Sequence, residues 1–243
     1  MGMDTKKVAQ TLTKDLDLDV PPIQISFLTE VPSEMKKYDR NVPSWCTFWA
    51  EARKESFYAP LDDHMSCEIG AFVLGAPLGG AVGEKLTMTL SWMQQQGYLE
   101  KGEEAHIPHL DAPPKFVAYG PLGQVPSAPS AVVLFARPSS AMVAMEAASP
   151  GQAHPFGVGF SGRPACAVIP TVLQGKAPFA VSLGCGGFRT FVEPGNDKML
   201  IAVRGDYVEE FSHSVHRLQG ANLEVGAEMA RRKAAVPLRT FQH

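Results

Sequence analysis

At 243 residues, with 45% apolar and 19% charged side chains and a formal net charge of −3, the chain has the composition of a folded protein that can bury a substantial core. That balance excludes a disordered chain and offers no basic field for nucleic acid. The Met1–Lys7 stretch holds no apolar run of the kind a signal peptide needs, and Lys6 breaks the myristoylation pattern. The weakly polar run Gly70–Val82 is interrupted by Pro77 and is too short to span a bilayer, so a cytoplasmic protein without a membrane partner is expected.

Val8, Leu12 and Leu16 recur every four residues and predict a short amphipathic helix, ended by Pro21-Pro22. Ile23, Ile25 and Phe27 alternate with Gln24 and Ser26, the pattern of a strand with one buried face. Ser44 reads as the N-cap of a helix carrying Trp45, Phe48, Trp49 and Ala52 on one side. A second helix is expected from near Cys67, breaking in the glycine-rich stretch Gly75–Gly83. A third is expected over about Glu84–Gln96, with Leu86, Leu90 and Met93 facing inward. Gly102–Ser130 is rich in proline and reads as loop, with a short strand around Phe116–Tyr119.

Val132–Phe135 reads as a buried strand, and Pro138 opens a helix through Met142 and Met145. After a loop over Gly151–Gly162 a helix is expected behind Arg163-Pro164. Strands are then predicted at Phe179–Leu183, Phe188–Val192 and Met199–Val203. Tyr207, Val208, Phe211, Val215 and Leu218 mark a last amphipathic helix, followed by a basic tail at Arg231-Arg232-Lys233. The expected class is α/β (α+β), a mixed sheet with flanking helices in a single domain.

A faint internal repeat divides that domain. Cys46 and Cys67 stand 21 residues apart, and Cys166 and Cys185 stand 19 apart. Each pair follows a predicted strand and brackets a similar segment, Lys54-Glu-Ser-Phe57 or Lys176-Ala-Pro-Phe179. Two related halves, 18–120 and 121–220, would bring the pairs together around a central pocket.

In a cytoplasmic chain four cysteines are expected to be reduced thiols, metal ligands or catalytic groups. Cys46 and Cys166 fall near predicted helix starts, where backbone N–H groups favour a thiolate. Arg163 and Arg189 lie close to Cys166 and Cys185 and are candidates to hold an anion. His64, three residues before Cys67, is a candidate metal or haem ligand or general base. Against this, free cysteine often serves only as a small buried hydrophobe, and no CxxC pair is present. Gly157-Val-Gly159-Phe-Ser-Gly162 matches GxGxxG but lacks the preceding strand and the later acidic residue of a dinucleotide site. The pairs His106/His109 and His213/His216 have spacings that can bind metal but more often are incidental. No P-loop, GxSxG, HExxH or EF-hand pattern occurs.

The run Cys46-Thr-Phe-Trp49-Ala50…Phe57-Tyr-Ala59…His64…Cys67…Gly70-Ala71…Leu74-Gly75 resembles the first signature of the DUF169 family. Ser161-Gly-Arg163…Ala165-Cys166-Ala167 and Ser182-Leu-Gly184-Cys185-Gly-Gly187…Arg189 resemble its second. The resemblance implies that all four cysteines and both arginines occupy motif positions, but the family carries no assigned function.

The expectation is a redox or metal-dependent enzyme acting on a small, anionic or aromatic molecule. Cys46, Cys67, Cys166 and Cys185 would hold an iron–sulfur cluster or zinc, or a Cys or His would ligate haem. Cys67, His64 and Arg189 are the candidate catalytic groups, and Arg163, Trp45, Trp49 and Tyr58 the candidate substrate contacts. The alternative is a metal-free binding protein or cysteine-thiolate enzyme, and either form is compatible with a homo-oligomer.

Overall fold

A computed structural model describes residues 3–148, 159–160, 162–175 and 177–235. The first helix, α1 (Thr5–Asp15), starts behind Asp4, whose carboxylate accepts the Lys7 N–H at 3.1 Å. There follow β1 (Ile23–Leu28), α2 (Thr47–Glu51), β2 (Phe57–Pro60), α3 (Glu68–Val73), α4 (Gly80–Gln95) and β3 (Phe116–Pro121). The second half contains β4 (Ala131–Ala136), α5 (Pro138–Ala148), β5 (Gly159–Phe160), α6 (Val168–Gln174) and β6 (Phe179–Ser182). It closes with α7 (Gly186–Val192), β7 (Met199–Arg204) and α8 (Val208–Ala235).

These strands form one mixed sheet in the order β2-β3-β1-β4-β7-β6-β5, giving an α+β fold. Every pairing is antiparallel except that of β5 with β6. The pattern repeats about the centre. From the β1–β4 junction outward, each half places its first strand, then its last (β3 or β7), then the one before the last (β2 or β6), and β5 is added at the edge of the second half. Because β1 and β4 are antiparallel, a two-fold rotation about an axis normal to the sheet relates the halves. It leaves the cysteine-bearing helices α2 and α3 on the same face as α6 and α7.

Alternation along the strands decides which face each side chain covers. On one side Ile25, Tyr119, Val133, Phe135, Ala180 and Ala202 meet Trp45, Phe48, Trp49, Val168, Ile169 and Phe188. On the other, Val132, Leu134, Val181, Ile201 and Val203 meet Val8 and Leu12 of α1, Ala144 of α5 and Phe211 of α8. Since helices cover both faces, β1 has no solvated side. Gln24 and Ser26, expected to face water, are fully buried, and the Gln24 amide donates to Ser26 Oγ and to the Ser127 carbonyl. The one-sided strand predicted there is corrected accordingly.

Other boundaries shift for local reasons. Phe188–Val192, expected as a strand, lies in α7, where the i, i+4 pair Phe188 and Val192 share the buried face. The apolar residues Phe188, Phe191 and Val192 fall at i, i+3 and i+4, a helical spacing, and Cys185 supplies the helix start. The basic tail is not separate, because α8 runs helical through Arg231-Arg232-Lys233. Helix α4 starts inside the glycine-rich stretch and buries only Leu86, so it stands outside both cores. The Gly157–Gly162 motif and Lys176 of the repeat fall wholly or partly outside the described residues. Among the described residues no helix is long and apolar enough to cross a membrane.

Candidate functional site

The four cysteines reach one place from four different segments. Cys67 is the N-cap of α3, in extended backbone, and its Sγ accepts the Gly70 N–H at 3.2 Å. Cys185 caps α7 in the same way, accepting from Phe188 N–H at 3.5 Å. The equivalence follows the two-fold relation of the halves. Gly70 is required for this packing, because a Cβ there would sit 2.7 Å from Trp45 Cβ and 3.0 Å from Cys67 Sγ.

Cys46 sits at the N-terminus of α2, and Cys166 in the short 3-10 turn Ala165–Ala167 that leads into α6. Both are buried, whereas Cys67 and Cys185 are partly exposed. Ser44 is not the helix cap expected of it. Its hydroxyl lies 3.0 Å from Cys46 Sγ and 3.7 Å from Cys67 Sγ, joining the two sulfurs of the first half. In the second half the position two before Cys166 is Pro164, so that hydroxyl has no counterpart.

All four sulfur-bearing residues line one cavity of about 330 Å³. Burial pushes the Cys46 thiol up to about 12, the Ser44 contact working against it and the nearness of Cys67 and Cys185 adding to it. Burial drives the Cys166 thiol well above its ordinary value, with Cys46, Cys67 and Cys185 all opposing its ionisation. Burial therefore favours the neutral thiol form of both deep cysteines. Among the described residues no group of three or more His, Cys, Asp or Glu side chains is arranged to hold a metal ion.

The outer wall comes from α4 and the turn after it, through Leu90, Met93, Tyr98 and Leu99, and Phe191 closes the α7 side. Three charged residues stand in this lining, Glu68, Lys85 and Arg163. Glu68 pairs with Lys85 at 2.9 Å and accepts from Thr89 Oγ1 at 2.6 Å. Sequence reading assigned no role to Glu68, Lys85 or Tyr98. The inward periodicity of Leu90 and Met93 was the only trace of this wall.

His64, Arg189, Trp45, Trp49 and Tyr58 do not line the cavity. His64 is fully buried behind it, with Nδ1 2.9 Å from the Pro60 carbonyl and Nε2 2.7 Å from Tyr119 Oη. Trp45 Nε1 donates to the same hydroxyl at 2.7 Å. A carbonyl can only accept, so Nδ1 carries the proton and Nε2 accepts from Tyr119. Burial lowers the imidazole to about 4. Both nitrogens are engaged and neither is free for iron or for a substrate proton, so the general-base and haem-ligand roles expected of His64 are corrected to a structural one.

Arg189 spends its guanidinium on the carbonyls of Leu183, Gly195 and Lys198, which holds the segments flanking α7 together. It positions the helix that Cys185 caps. Trp45 and Trp49 pack edge to face at 5.7 Å in the core beneath α2, and Tyr58 packs against Phe116 on β3. Of the candidate histidine pairs, His216 pairs with Asp15 at 2.7 Å, and His109 packs on the Phe72 ring.

Residues 11–213 match the family model DUF169, described as uncharacterised ArCR. No curated protein matches the chain. No solved structure matches it either.

Proposed function

The chain belongs to the DUF169 family, and for this member we propose a redox enzyme in which Cys46, Cys67, Cys166 and Cys185 hold an iron–sulfur cluster beside a small-molecule pocket. The observation that carries this reading is the convergence of all four cysteines on one mostly apolar cavity. The donor set is all sulfur, as iron–sulfur clusters take, and four thiols are more than a lone nucleophile uses. In the first half the Ser44 hydroxyl links the deep Cys46 to the shallower Cys67. The Gly70 and Phe188 N–H groups and the Ser44 hydroxyl point at sulfur, and such donors favour the thiolate form and tune what it binds. Among the described residues no three ligands close around one point, which argues against a single zinc ion. A cluster is wider than an ion and takes its thiolates further apart. When bound, it would supply one-electron transfer. The residues of the chain exclude water with α4 and Phe191 and orient a substrate at the charged rim.

Protein purified without oxygen and reconstituted with iron and sulfide tests this. Brown protein with matching iron and acid-labile sulfide is expected, and Cys→Ser at any of the four positions should lower both. Colourless, iron-free protein after reconstitution would sink the reading. The absence of a three-ligand group among the described residues also suits a second reading, a metal-free thiol enzyme using partly exposed Cys67 or Cys185. It predicts a single cysteine whose substitution alone abolishes turnover.

A further inference from the structure

We propose that Arg163 forms a carboxylate subsite at the rim of the cysteine-lined cavity, and that the cavity takes a small carboxylic acid with an apolar, planar body. The proposal rests on the reading of this cavity as the ligand site, though not on what the sulfurs hold.

Two cations line the cavity, and they are not equivalent. Lys85 is committed, with Glu68 Oε2 and the Ser66 carbonyl each 2.9 Å from its ammonium. Glu68 is in turn satisfied by Lys85 and Thr89, so this pair presents little net charge to a ligand. Arg163 is different. Its guanidinium lies over the Tyr98 ring, 4.3 Å from the centroid. Among the described residues its ion-pair partner is Glu103 at 3.7 Å, with the two side chains 40% and 43% exposed. An exposed pair at that distance is worth little and exchanges readily. A guanidinium held over a ring face uses its face for that contact and can turn its N–H edges to a carboxylate fork.

The rest of the cavity selects the body of the ligand. Leu90, Met93, Leu99 and Phe191 offer no hydrogen bond from their side chains. About 330 Å³ is at the small end for ligand pockets, which fits one ring or a short branched chain. Arg163 and the four cysteines line the same cavity, so an acid gripped at the rim would place its apolar end in the space that the sulfurs share. With Lys85 engaged by Glu68, a second carboxylate on the ligand would meet no free cation in this lining.

Calorimetric titration of the full chain with benzoate and with its neutral counterpart benzamide tests the assignment. Benzoate should bind at least about tenfold tighter, the smallest effect expected of hydrogen bonds to a charged partner. Arg163→Gln should remove that preference. Glu103→Gln, which takes away the competing carboxylate, should strengthen benzoate binding several-fold and guards against a trivial folding defect in the first variant. Equal binding of the two probes, no benzoate binding at millimolar concentration, or a preference that survives Arg163→Gln overturns the proposal. Iron measured on the same samples separates it from the cluster. Iron-free protein that prefers benzoate keeps the subsite and removes the cluster, and iron-loaded protein without the preference does the reverse.

Discussion

Burial of His64 should make this protein lose stability in acid beyond what its carboxylates contribute. The imidazole of His64 falls from its ordinary value of 6.5 to about 4 because burial penalises its charged form. The unfolded chain therefore binds a proton that the folded chain refuses between those two values, and stability falls as pH drops through that window. A difference of roughly two to three pH units, at about 1.4 kcal/mol per unit, corresponds to about 3 kcal/mol. Carboxylates also respond to acid, so the contribution has to be isolated by difference. His64→Gln keeps an N–H for the Pro60 carbonyl and an acceptor for Tyr119 Oη but cannot take up a proton. Urea unfolding at pH 7 and pH 4 should show the parent losing about 3 kcal/mol more than the variant. Parallel pH profiles, within about 0.5 kcal/mol, would refute the assignment of a neutral, doubly bonded imidazole.

Tyr119→Phe should cost about 2–4 kcal/mol in chemical denaturation, because it strands both the Trp45 N–H and His64 Nε2 in the core; a loss under about 0.5 kcal/mol would show that the hydroxyl does not link them. Gly70→Ala should cost about 1–3 kcal/mol and alter the rate at which Cys67 is alkylated, since the new methyl meets Trp45 Cβ and Cys67 Sγ; unchanged stability and labelling would mean that α3 can move aside freely. Arg189→Met should speed hydrogen exchange in α7 more than in α3, because three carbonyls lose their common donor. Equal exchange in the two helices would show that Arg189 does not hold α7.

Much of the fold was legible because its elements carry strong local periods. The four-residue recurrence of Val8, Leu12 and Leu16 marked α1, and the apolar run at Val132–Phe135 marked β4. Strand β2 was missed because Phe57–Pro60 is four residues long, too few for a period to declare itself. At Phe188–Val192 the aromatic and β-branched residues suggest a strand, whereas the i, i+3, i+4 spacing of Phe188, Phe191 and Val192 is that of the helix observed. At the site, cysteine spacing pointed to four residues that line one cavity. Proximity in sequence misled for His64, which lies three residues from Cys67 yet turns the other way into the Trp45–Tyr119 network. It misled also for Arg189, close to Cys185 in sequence but turned onto backbone carbonyls.

By itself the sequence determined that four thiols occur as two similarly spaced pairs, each following a strand, in a chain able to bury a mixed sheet. Those are properties of residue identity and short-range pattern. Only the tertiary structure decided that the pairs face one cavity, because that depends on the antiparallel β1–β4 junction, a pairing across more than a hundred residues that carries no local signal. The same long-range packing put Ser44 between two sulfurs and set α4 over the opening. It also left Arg163, rather than Lys85 or Arg189, as the cation with edges to offer, since which partner satisfies a charge is settled by neighbours in space.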